Sequence, residues 1–294
     1  MTNQFEYTPD QYLSLIYHRI GLVVRTEPST YVTNIEKQKK DFGQFFRADV
    51  LFPYLSDEIA LQYSALMKPK EELLPYWKTD PKGSCLPTLL LGVSGSGKTH
   101  TITEYGAQGF ILYFTAAMRP QDKDFYSTFM VGMVEKEMNS VALTPTDYTN
   151  GIQLSDKKEK IGAKVIQFFL FLKLAALLCL LKKYPNMTPG MFFFDQLNGR
   201  SKYYLQLMYQ CQNDFGDFCK YSDNQLIRMV AQEIRTCTQD KFKIGIAFDE
   251  CNVYNDTLSN YYTSTSTTEQ RGLYTAIARQ TNDMLDIFDV ILEA

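Results

Sequence analysis

The apolar positions of this chain change period several times, and each change marks an expected element. Near the N-terminus Tyr12, Leu13, Ile16 and Ile20 recur at helical spacing, with Thr8 as N-cap and Pro9 in the first turn, which predicts a helix running to about Gly21. Residues 1 to 84 read as mostly helical and irregular, and the turn-rich stretch from Lys78 to Ser84 has the composition of a linker. Thr88-Leu89-Leu90-Leu91, bounded by Pro87 and Gly92, suits a buried strand, and Phe110-Ile111-Leu112-Tyr113-Phe114 follows a helix-length later. Strand, helix, strand is the pattern of a parallel sheet. From Thr115 to about Asp156 the pattern is polar and unperiodic. Three helices are expected after it: an apolar one from about Lys160 to Lys183, one opened by Thr188 and Pro189 and running toward Asn198-Gly199, and one begun by the capping-box pattern Ser222-x-x-Gln225. The third places Leu226, Ile227, Val230, Ala231 and Ile234 on one face. Phe242 to Phe248 is a further buried strand, a helix capped by Ser266-x-x-Glu269 would turn Leu273, Ala276, Ile277 and Met284 inward, and Phe288 to Leu292 closes the chain as a strand.

Composition narrows the class. In 294 residues, 45% are hydrophobic and 21% charged, which is enough apolar surface for a sizeable core. Thirty basic against 33 acidic residues leave a net charge of -3, so no overall positive field recruits nucleic acid, and any such contact has to be local. Six dispersed cysteines without a C-x-x-C pair, and only His18 and His100 as histidines, remove the usual zinc ligands and the base of a histidine triad. Scattered cysteines fit reduced thiols in an intracellular compartment, cytoplasmic or nuclear, and the first residues show no basic segment followed by an apolar one, so no signal peptide is read. The run Val165 to Leu181 approaches the length of a membrane span. It contains Gln167 and Lys173, however, and a lysine near the centre of an inserted helix costs roughly 2.5 to 3.5 kcal/mol, so a buried helix of a soluble core is expected and no membrane role is assigned.

The chemistry is concentrated in one motif. Gly92-Val93-Ser94-Gly95-Ser96-Gly97-Lys98-Thr99 matches G-x-x-x-x-G-K-[ST], directly after an expected strand and opening an expected helix, and these residues with the following His100 are the expected nucleotide-binding residues. The glycines let backbone N–H groups wrap a phosphate while the helix offers its positive end to the anion. Lys98 would reach the β and γ phosphates of a nucleoside triphosphate, most naturally ATP, and the Thr99 hydroxyl would be a ligand of Mg²⁺. A second element, Ile244-Gly245-Ile246-Ala247-Phe248-Asp249-Glu250, is an apolar strand ending in two acids. Beside a phosphate loop, Asp249 is expected to hold the metal and Glu250 to orient the attacking water, a pair suited to a hydrolase. Taken alone, the same two acids would be no more than a solvated strand exit.

Lys98 and Asp249 lie 151 positions apart, far more than a minimal core needs, so residues 156 to 236 read as an enlarged helical layer. Arg271 and Arg279, on the expected helix after the acidic pair, have the chemistry of γ-phosphate sensors, although surface arginines satisfy the same pattern. The pairs Tyr203-Tyr204 and Tyr261-Tyr262 suit base stacking or ordinary packing equally.

At these residues the chain from about Cys85 onward resembles the P-loop ATPase region of Crinkler-type proteins, relatives of retrotransposon hot spot proteins. The resemblance rests on LLLGVSGSGKTHTITEYGAQGFILYFTA at Leu89 to Ala116, on LKLAALLCLLKKYPNMTPGMFFFDQLNG at Leu172 to Gly199, and on IAFDECNV with the later RGLYTAIAR at Arg271 to Arg279. It implies an ATPase with an extra strand between the two motif strands, in families whose members act as intracellular or host-targeted effectors. Residues 1 to 84 do not resemble the translocation header of secreted Crinklers. The end at Ala294 falls about where such ATPases carry a polar sensor strand, so a C-terminally incomplete domain is expected.

The reading is therefore an α/β P-loop NTPase over 85–294, with a mainly parallel sheet, a large helical insertion and a helical N-terminal region available to a protein partner. Its rivals are a nucleotide-bound switch without turnover and the ATPase part of a DNA-acting effector. Oligomeric state is not legible.

Overall fold

The N-terminal helix α1 (Pro9–Thr26) begins as its sequence dictates. Thr8 N–H donates to Gln11 Oε1 at 2.9 Å while Gln11 N–H donates to Thr8 Oγ1 at 3.3 Å, a reciprocal cap that satisfies two otherwise unpaired donors. Tyr12, Leu13, Ile16 and Ile20 are all buried, as their spacing predicts. The computed structural model describes residues 7–26, 88–90, 102, 105–106, 109–115, 125–185, 187–197, 202–222, 224–241, 244–249, 262–263, 270–271, 277, 284 and 287–293.

Along the chain, β1 (Thr88–Leu90) is followed by β2 (Phe110–Thr115), with Ile102 and Tyr105–Gly106 helical between them. Two helices then occupy the stretch expected to be irregular: α2 (Phe125–Ser140) and α3 (Pro145–Thr149). In α2 the buried positions Met130, Val134 and Met138 recur every fourth residue, but methionines interleaved with Gly132 and a polar second half weaken the apolar stripe. In α3 a capping box stands in for length: Thr144 Oγ1 accepts from Asp147 N–H, and the Asp147 carboxylate accepts from Thr144 N–H at 2.6 Å and from Lys157 at 2.5 Å. These donors hold the Asp147 carboxyl down at about 2, the Lys157 bond being the largest cause.

The long helix α4 (Leu154–Lys183) begins six residues earlier than expected, and α5 (Pro189–Leu197) runs as anticipated. Helix α6 (Lys202–Cys211), a 3₁₀ turn at Gln212–Asp214 and the short α7 (Phe215–Phe218) have no counterpart in the sequence reading. Helix α8 (Gln225–Thr238) buries the predicted face, but its start differs. Asn224 is the N-cap in a left-handed conformation at φ 61°, and the Ser222 hydroxyl donates to the Gln225 side chain rather than capping the backbone. Then come β3 (Ile244–Asp249), the short β4 (Tyr262–Thr263) and β5 (Gln270–Arg271), and β6 (Asp289–Glu293). Arg271 thus lies in an antiparallel pair with Tyr262 rather than in the helix expected there, while Arg279 lies outside the described residues.

The main sheet has the order β1-β6-β3-β2, with every pair parallel. The C-terminal run is therefore an interior strand, seated between β1 and β3. The strand expected at Phe288 to Leu292 thus lies between the two strands that carry the motifs.

Helix α4 is the spine of the core. It packs against α1, α2 and α8 and touches β2. By length and composition it could cross a membrane, yet 89% of its most apolar window is buried inside the chain's own fold, so it is a core helix. The two polar residues that argued against a membrane are both buried and paired: Gln167 donates to Asn224 Oδ1 at 3.1 Å, and Lys173 donates to the Tyr113 carbonyl. Aromatic rings fill the space between α4 and α7, with Phe168 at 5.5 Å from Phe215 and 5.2 Å from Phe218.

Helix α1 belongs to this same core. Tyr12 stacks on Phe171 at 6.1 Å and its hydroxyl donates to the Asp214 carbonyl, Arg19 pairs with the Asp214 carboxylate, and Tyr17 donates to Glu233 at 3.0 Å. Helix α1 thus packs on elements that lie beyond residue 84 in the chain, and residues 27–84 lie outside the described residues. The thiols of Cys179 and Cys211 are pushed up to about 12 by burial, which makes them poor nucleophiles.

Candidate functional site

The sheet divides its side chains by simple alternation. Phe110, Leu112, Phe114, Ile244, Ile246, Phe248 and Val290 face the large core beneath α4 and α8. Ile111, Tyr113 and Ala247 face the other way and form a second apolar layer with Ile102, Tyr105 and Phe193. That second layer brings the helical residues following the glycine-rich motif onto the sheet, and burial raises the Tyr105 phenol above its ordinary value. The approach is close at Gly106, where a β-carbon would stand 2.3 Å from the ring of the fully buried Phe193. Gly106→Ala is expected to cost about 1–3 kcal/mol through overpacking, read as a lowered urea midpoint at unchanged slope. A midpoint equal to the wild type would mean that the ring can turn aside.

Asp249 is the last residue of β3, level with Thr115 of β2 and two positions beyond Ala247 on the same face. It is only 4% exposed. Its Oδ2 accepts the Tyr113 hydroxyl, and its Oδ1 has no hydrogen-bond partner among the described residues. An orphaned carboxylate oxygen in the interior is costly, and that cost is relieved when a cation or a cation-bound water completes it. The hard oxygen donor at this place fits Mg²⁺, which binds through one or two carboxylates while keeping several waters. Among the described residues there is no cluster of three or more acids, histidines or cysteines that could hold a metal by itself.

The register relates this carboxylate to the glycine-rich motif. Phe248 and Leu89 are both level with Leu292 of β6, so Asp249 and Leu90 stand at the same height on either side of that strand. With neighbouring strands about 4.8 Å apart, their backbones are separated by about 10 Å at the same, C-terminal edge of the sheet. Leu90 lies two residues before Gly92. Gly92, Val93, Ser94, Gly95, Ser96, Gly97, Lys98, Thr99 and His100, as well as Glu250, lie outside the described residues. Asp249 is thus the one predicted site residue whose surroundings are defined.

Three residues around it were not anticipated. Gln196 of α5 reaches the outer edge of β2, where its Oε1 accepts Tyr113 N–H at 2.9 Å and its Nε2 donates to the Ile111 carbonyl at 2.7 Å. Lys173 of α4 binds the Tyr113 carbonyl and lies 4.2 Å from the centre of the Phe114 ring, within cation–π range. Tyr113 itself is the polar-tipped member of an apolar strand. The usable signal was a polar atom in each of three otherwise apolar runs. A separate cavity of about 510 Å³ between α2 and α6, lined by Phe129, Lys136, Tyr209 and Gln212 among others, includes none of the predicted site residues.

Comparison of the chain with models of known protein families, with curated proteins and with solved structures returns no match.

Proposed function

We propose that the chain is an α/β P-loop NTPase that binds ATP with Mg²⁺ and hydrolyses it. The observation that carries this reading is the sheet register. A strand running into a complete G-x-x-x-x-G-K-T motif and a strand ending in a buried, half-satisfied aspartate end side by side across one intervening strand. The intervening β6 supports the extra-strand type of ATPase that the resemblance to Crinkler-type proteins implies.

In this reading the backbone of Gly92 to Gly97 cradles the phosphates, Lys98 holds the β and γ phosphates, and Thr99 with Asp249 holds the metal. The metal held there would supply neutralisation of the charge that develops on the phosphate oxygens. Glu250 orients the water for attack. The apolar layer of Ile102, Tyr105 and Phe193 fixes the helical residues that follow the motif against the sheet.

The test is nucleotide binding by titration beside phosphate release in the full chain. Lys98→Ala is expected to weaken ATP binding about 10- to 100-fold, the worth of a charge-assisted contact of about 1.5–3 kcal/mol. Wild-type binding that saturates without Mg²⁺-dependent phosphate release would replace hydrolysis by a nucleotide switch. Equal binding by both proteins would remove the phosphate loop from the function.

A further inference from the structure

The buried carboxylate at the end of β3 raises the question of what fixes its orientation. Asp249 has two chemically equal oxygens, and rotation about its terminal bond exchanges them. In this structure they are not equivalent: Oδ2 is taken by the Tyr113 phenol, and Oδ1 has no partner among the described residues. The phenol differs from the usual partner of a buried carboxylate in one respect that matters to a metal. Arginine or lysine at this place would cancel the negative charge that attracts the cation, whereas a neutral hydroxyl directs the carboxylate and leaves its charge intact.

The donor is itself held at every point of attachment. The Tyr113 N–H is bound by Gln196 Oε1 at 2.9 Å, its carbonyl by Lys173, and its ring packs edge-on against Phe193 with centroids 5.4 Å apart at 70°. It is 6% exposed. With its backbone bound from two helices and its ring packed against a neighbouring ring, Tyr113 has little freedom to follow the carboxylate, so the carboxylate follows the phenol.

We propose that Tyr113 is the positioning residue of the metal-binding aspartate: its hydroxyl reserves Oδ2 and presents Oδ1 of Asp249 to the Mg²⁺ of a bound nucleotide. This rests on the reading of Asp249 as metal-binding. Outer partners that orient a metal ligand typically influence metal affinity by about 10–100-fold.

The measurement is the factor by which Mg²⁺ tightens binding of a non-hydrolysable ATP analogue, taken as the ratio of affinities in Mg²⁺ and in EDTA, for the full-length chain. Tyr113→Phe, which removes one oxygen and preserves the ring, is expected to lower that factor by about 10-fold or more while the affinity in EDTA stays at the wild-type value. Asp249→Asn is expected to lower it as well, and adding Tyr113→Phe to Asp249→Asn should lower it no further, because the phenol acts through the carboxylate. A melting curve in EDTA accompanies each variant and confirms that a folded chain is being compared. Should Tyr113→Phe fail to fold, Gln196→Ala, which frees the Tyr113 backbone and leaves the hydroxyl present, should lower the same factor in the same direction. A Tyr113→Phe factor equal to the wild type, or a loss that adds in full to that of Asp249→Asn, overturns the positioning role alone. A wild-type chain that binds the analogue without regard to Mg²⁺ overturns the metal role of Asp249, and the present proposal with it.

Discussion

Glu250→Gln is expected to bind Mg²⁺ and ATP as the wild type does and to release phosphate about 10²–10⁴-fold more slowly. The exchange preserves shape and removes the charge that would draw a proton from the attacking water, so a loss confined to kcat reports an interaction made in the transition state. The position next to Asp249 makes the pair informative. Asp249→Asn should lower both the tightening of nucleotide binding by Mg²⁺ and turnover, whereas Glu250→Gln should separate binding from turnover. Titration of a fluorescent nucleotide beside a steady-state phosphate assay reads both quantities. Unchanged turnover in Glu250→Gln would take that residue out of the mechanism, and loss of binding would make it a ligand rather than a water-orienting base.

The largest effect on stability is expected at Phe168. It is fully buried in α4, with rings of Phe215 and Phe218 within 5.5 Å and Phe169 at 6.4 Å. Phe168→Ala removes several aromatic contacts at once and leaves a cavity that three other rings cannot collapse into without leaving their own packing. A cost of about 3–5 kcal/mol follows. Against a total of about 5–15 kcal/mol for an ordinary domain, that is a large share, visible as a lowered urea midpoint at unchanged slope. The same substitution tests the placement of α4. Were this helix to face lipid, Phe168→Ala would leave unfolding in aqueous urea nearly unaffected and the wild-type chain would need detergent. A cooperative transition in buffer that shifts downward supports the core position.

What was legible in the sequence follows from what is local. The strand runs at Thr88, Phe110, Ile244 and Asp289, and the apolar faces of α1 and α8, are each encoded by a period within a dozen residues, and each appears where expected. Helix α2 escaped because its inward residues are mostly methionines and its outward face is polar enough to pass for a loop. Helix α6 and its continuation through α7 escaped because their aromatic clusters carry no clean period. Membership of α1 in the main core was invisible for another reason. The partners of Tyr12 are Phe171 and Asp214, and nothing in either segment announces a pairing across so much chain.

At the candidate site the same division holds. An apolar strand ending in Asp249 could be read, because position in a strand fixes which edge of the sheet a residue occupies. Tyr113 could not, since tyrosine is an ordinary strand residue and its hydroxyl acquires meaning only when β2 and β3 lie in register. Lys173 was visible as an oddity in an apolar helix. Its destination, the carbonyl of Tyr113, was not.

The amide of Gln196 has a consequence beyond the site. Among the described residues β2 ends the main sheet, and its outward-facing N–H and C=O groups at Ile111 and Tyr113 are the kind on which another chain could add a strand. One carboxamide occupies both, in the way a neighbouring backbone would, and the lysine ammonium takes the remaining carbonyl of Tyr113. Among the described residues, the flank of the sheet at Tyr113 is therefore covered by side chains of α4 and α5. Two helices in this way keep a strongly hydrophobic strand, FILYFT, from acting as a seed for aggregation.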